Sequence, residues 1–144
     1  MKKLLLLTVL ILNFGCESTE ISTEKALVGE FKSNAFLDPA CLLLPEAFMP
    51  RMTIKNSLLN DLSIEFTKPL YNQKSQTYDM ISEDFKGITT SEDIRGTVLT
   101  YRGVEFGYFG IPATYSGSDR TKRLWIRYED KVNNKYVFFV GEKK

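Results

Sequence analysis

Histidine is absent from all 144 residues. That absence removes Ser-His-Asp and Cys-His catalysis, histidine general bases and every histidine-ligated metal site. Cysteine is limited to Cys16 and Cys41. Neither sign of charge dominates, since 19 basic and 18 acidic residues leave a formal net of +1, which gives no electrostatic reason to expect nucleic acid. No long helical stripe follows Cys16, and no internal repeat of useful length is present. What remains is 43% hydrophobic and 26% charged, the composition of one globular domain and not of a disordered chain.

The first residues are of another kind. Lys2 and Lys3 precede the apolar run Leu4 to Leu12. Nine residues at about 1.5 Å rise cannot cross a hydrocarbon core of about 30 Å, so the run reads as the core of an export signal. It ends at Asn13-Phe14-Gly15-Cys16. Gly15-Cys16 resembles the lipobox of bacterial lipoproteins, where a small residue precedes a cysteine that is acylated and becomes the mature N-terminus. The resemblance implies a signal peptide over residues 1–15, lipid (palmitate among its chains) on Cys16, and anchorage to a membrane of the cell envelope, the outer membrane being expected. Several acyl chains give a lasting attachment where one is marginal. Residues 16–26 then read as a polar, flexible tether. With Cys16 consumed by lipid, Cys41 is left among Leu42, Leu43 and Leu44 as a buried thiol or an intermolecular disulfide partner.

From residue 27 to 144 the pattern has period two with turn punctuation. Strands are expected over Leu27–Lys32, Arg51–Lys55, Asp61–Thr67, Thr77–Ile81, Ile94–Arg102, Val104–Tyr108, Arg123–Glu129 and Tyr136–Val140. Asp38-Pro39 is suited to cap a short helical turn over Ala40 to Leu44. Eight antiparallel strands joined by hairpins predict an all-β fold, an up-and-down barrel or a curved sandwich, closure being one way to remove exposed edges. Gly29-Glu30-Phe31 on the first strand and the long apolar connection after it are similar to the lipocalin-like domains of bacterial lipoproteins. That similarity implies a loop covering the barrel mouth over an apolar cavity.

Candidate functional residues fall in four places. The connection Asn34 to Pro50 is long for a compact domain; Phe36, Leu43 and Phe48, with Phe66 of the third strand, are the expected lining of a site for a small apolar ligand or lipid, or else they plug the barrel as core. Arg123, Trp125 and Arg127 alternate on the face opposite Leu124 and Ile126, a cationic aromatic face for an envelope protein partner or an ordinary solvent-facing strand. Gly103 to Gly117 is rich in tyrosine and glycine, as in contact surfaces or bulged hairpins. Glu83-Asp84 and Glu92-Asp93 flank an expected loop, and paired carboxylates without histidine are the one opening for hydrolysis. The expectation is a lipid-anchored, non-catalytic binding protein without cofactor or metal. An apolar ligand inside the barrel is the first reading, and a protein partner on the Arg123/Trp125/Arg127 face is the second.

Overall fold

The computed structural model describes residues 23–57, 61–111 and 119–144. The leader, Cys16 and Tyr115 lie outside the described residues. A short helix, α1 (Thr23–Leu27), leads into eight strands: β1 (Gly29–Lys32), β2 (Arg51–Asn56), β3 (Leu62–Asn72), β4 (Thr77–Asp93), β5 (Gly96–Tyr101), β6 (Val104–Gly110), β7 (Arg123–Asp130) and β8 (Lys135–Lys143). Each pairs antiparallel with the next, and β8 returns to β1 through Phe31↔Lys143 and Lys32↔Glu142. The fold is a closed, eight-stranded, up-and-down barrel.

Alternation along each strand builds the inside. Met52 and Ile54 on β2, Leu62, Ile64 and Phe66 on β3, and Val137 and Phe139 on β8 are buried, while their sequence neighbours are mostly exposed or half-buried. Leu27 of α1 joins the same core. Among the described residues the buried core runs from Leu27 to Val140 and the paired strands from Gly29 to Lys143. Tight turns set the registers. Arg102 and Gly103 both adopt positive φ, 52° and 78°, the two-residue geometry whose twist suits a hairpin. At the β7–β8 turn, the Asp130 carboxylate accepts hydrogen bonds from the backbone N–H groups of Val132 and Asn133.

Several strand limits differ from the sequence reading. Leu27 ends helix α1 instead of opening a strand, so residues 23–26 of the expected tether are helical and β1 starts at Gly29. β3 runs on to Asn72, β6 to Gly110 and β8 to Lys143. β4 runs unbroken from Thr77 to Asp93, so the expected loop between the two acidic pairs does not exist. Its polar residues alternate because β4 turns one side to water, and Gly87, at φ 75°, lies beside a register shift that bends the strand without ending it. Ile94 and Arg95 belong to the β4–β5 turn, and β5 starts at Gly96. β-Propensity alone favoured Ile94 as strand, but the Asp93 carboxylate accepts from Arg95 N–H at 2.7 Å and fixes the turn there.

The topology gives the barrel two distinct ends. The β1–β2 connection and the β3–β4, β5–β6 and β7–β8 turns share the upper one. Helix α1, the β4–β5 turn and the β6–β7 connection share the lower one.

Candidate functional site

The barrel interior is occupied by its own aromatic rings. Phe106 sits 4.9 Å from Phe85 and 5.3 Å from Tyr128 between ring centroids, and Tyr101 lies 5.5 Å from both Phe85 and Tyr128. Phe31 meets Phe109 and Phe66 meets Phe139 edge to face at 5.6 and 5.8 Å, the arrangement ring quadrupoles favour. Above them at the upper end, Glu83 of β4 forms ion pairs with Lys68 of β3 at 3.2 Å and Lys135 of β8 at 2.9 Å. Lys135 also stands 4.5 Å over the Phe85 ring. Burial opposes the Glu83 charge, but the two ammonium groups outweigh it and hold the carboxyl below its ordinary range. Glu83 is thus a structural anion between two lysines. Its neighbour Asp84 is exposed, so alternation separates the carboxylates that the sequence sets side by side.

The connection after β1 is an Ω-loop, its ends joined by the hydrogen bond from Ser33 N–H to Pro50 C=O at 3.0 Å. The Asn34 side chain accepts from Phe36 and Leu37 N–H, and Asp38 caps a 3-10 turn at Pro39–Cys41 by accepting from Ala40 N–H. This framework turns Leu37 and Cys41 inward, Cys41 beside Ser33, and burial pushes the Cys41 thiol pKa up. It leaves Phe36 74% and Leu43 86% exposed. Phe48 is half-buried against Tyr78 of β4, at 5.5 Å, and Phe66 belongs to the core. The four residues expected to line one ligand site are therefore not brought together. Two clefts formed by described residues, about 290 and 260 Å³, open at the surface near Lys55 and Lys86 and near Ile94 and Lys122. Among the described residues no cluster of acidic or cysteine side chains could hold a metal.

The β7 face is built differently from its sequence outline. Arg123 is only 3% exposed; it donates to Asp119 and Glu142, both at 2.8 Å, and so closes the lower end of β7 against β8. Trp125 and Arg127 remain on the outer face, half-buried and exposed. Registers across β5 to β8 place Val98, Tyr108, Trp125 and Val140 in one transverse row on that face. The Tyr108 and Trp125 rings are parallel within 5° at 6.1 Å, and the Arg95 guanidinium lies 5.4 Å from the Tyr108 ring, itself held by Asp93 and Glu105. Val140 is buried although it stands in this outer row. Higher on the same face, Arg127 stands opposite Phe138, and Tyr136 follows; both rings are largely exposed.

Tyr108 stood in the tyrosine- and glycine-rich run but without its link to Trp125, and Tyr136 and Phe138 escaped the sequence reading. The signal was in Tyr136-Val137-Phe138-Phe139-Val140, which is apolar at both parities. A barrel strand needs only one parity for its core, so the other must coat the outside.

No protein-family model, no curated protein and no solved structure matches this chain.

The Asp119–Arg123 contact has a consequence that can be measured. A backbone hydrogen bond from Thr121, its hydroxyl and the Arg123 guanidinium lower the Asp119 pKa to about 2. A carboxylate depressed on folding contributes stability that is complete above its unfolded pKa of about 4 and is lost as pH falls through its folded value. Asp93 and Asp130 shift in the same direction. The urea midpoint is expected to fall between about pH 4 and pH 2, and Asp119→Asn to flatten part of that fall. An unchanged slope in the variant would assign the acid sensitivity elsewhere.

Proposed function

We propose that this is a lipid-anchored, non-catalytic binding protein of the cell envelope that docks another protein on the outer face of β6–β8. The observation that carries the reading is the contrast between inside and outside. The interior is packed with aromatic rings, whereas Trp125, Arg127, Tyr136 and Phe138 stay partly or fully accessible on one sheet face. Aromatic and arginine side chains on such a face are the usual anchors of protein contacts. Gly15-Cys16 and the polar run behind it support the anchored, envelope-facing part of the proposal.

The alternative, a small apolar ligand held under the Ω-loop, would require the rings around Phe106 to move apart. The test is native mass spectrometry of the lipid-free domain purified from its own host, combined with a photo-crosslinker at Arg127. Expected are the bare mass of the chain and a crosslinked envelope protein whose yield falls at least tenfold with Phe138→Ser or Trp125→Ala. A small molecule retained at one per chain, with crosslinking insensitive to both substitutions, would reverse the order of the two readings.

A further inference from the structure

The Ω-loop is the place where order and exposure conflict most. Its backbone is pinned by the Asn34 and Asp38 side chains and by the Ser33–Pro50 closure, yet Phe36, Leu42 and Leu43 stand 74, 72 and 86% exposed on it. Ordered loops that hold apolar side chains in water lack a partner for them. From this we infer that the loop rests in the interfacial layer of the same membrane that holds the anchor, an inference that depends on the lipid-anchored part of the function proposed above.

Reach decides the occupant. The links from Cys16 to Thr23 span at most about 25 Å even when fully extended. Helix α1 leads directly into β1, whose four residues advance about 13 Å before the loop begins. Anchor and loop thus flank one short strand, and a bilayer holding the Cys16 lipid is within range of Phe36, Leu42 and Leu43. The charges on the loop suit a contact without preference for anionic headgroups. Glu46 pairs with Lys32, and Asp38 is engaged as a cap. Insertion is then driven by apolar area and is insensitive to lipid charge. In this pose β1 and β2 face the membrane. The β6–β7 part of the docking face lies away from it around the barrel.

The test uses the mature chain from residue 16, carrying Cys16→Ser so that no lipid contributes, in flotation with phosphatidylcholine vesicles and with vesicles half phosphatidylglycerol. Binding to both is expected, equal within about twofold, and Phe36→Ser/Leu42→Ser/Leu43→Ser should lower the partition coefficient by at least about 50-fold with an unchanged thermal melt. Absence of binding, binding to anionic vesicles alone, or a triple variant that still floats overturns the inference. So does a triple variant that alters self-association in sedimentation while vesicle binding is unmoved, because the loop would then meet a second copy. Palmitate labelling in the host tests the anchor separately. Unlabelled protein that still floats through its loop sinks the anchored reading alone, and labelled protein whose lipid-free form stays in solution sinks the loop alone.

Discussion

Gly110→Ala is expected to cost about 3 kcal/mol or more, a large share of the roughly 5–15 kcal/mol that holds a domain of this size folded. Gly110 ends β6 where the barrel wall turns at the β4–β5 hairpin. A Cβ at this position would overlap the Arg95 carbonyl oxygen and come within 3.5 Å of the Gly96 Cα. Both are main-chain atoms and cannot swing aside as a side chain would. Relief requires β5 to move off β6, which strains the Thr97↔Phe109 pairing next to it. It also disturbs Gly110↔Arg123, the pair that seats the buried guanidinium between Asp119 and Glu142. Gly103→Ala is the control. Its φ is 78°, but a Cβ there meets nothing within 4 Å, so it bears backbone strain alone, about 1–2 kcal/mol. Urea denaturation of both variants separates crowding from strain. If Gly110→Ala proves no more costly than Gly103→Ala, the close approach of β5 and β6 is not a constraint on the sequence.

The strand count, their order and most inward-facing residues were legible because a barrel imposes one simple rule at each position, alternation of apolar and polar. Leu62, Ile64 and Phe66 announce a face without any knowledge of their partners, and Asn133-Asn134 announces a turn. Legibility failed where partners decide. Arg123 looks like a surface charge until Asp119 and Glu142 are folded around it. Ile94 looks like strand until the Asp93 side chain captures the next backbone N–H. Phe36 and Leu43 were expected to cover a cavity because nothing local says which way a loop residue points. Their outward placement goes with the turns that the Asn34 and Asp38 side chains and Pro39 set in the loop, which no periodicity announces. The binding face shows the same limit. Trp125 and Arg127 could be read from β7 alone, but Tyr108 and Phe138 join them only through the β6–β7 and β7–β8 registers.

Phe106→Ala should be the most damaging single truncation in the core, at about 3–5 kcal/mol. Phe106 is fully buried and touches Phe85, Tyr101 and Tyr128, so its removal strips ring contacts from three neighbours at once. Aromatic pairs add about 0.5–1.5 kcal/mol beyond the area they bury. The surrounding strands are closed into a cylinder and cannot collapse inward as the end of an open sheet can, so most of the ring's volume should persist as a void. At a few degrees per kcal/mol, the thermal midpoint falls by roughly 10–20 °C. The same variant examines the filled interior directly. An apolar void of this size stays dry and takes up small hydrocarbons, so benzene should raise the melting temperature of Phe106→Ala and leave that of the parent chain unchanged. A parent that is itself stabilised by benzene must already hold empty space among these rings, and in that case the ligand-in-barrel reading regains the advantage that the packing now denies it.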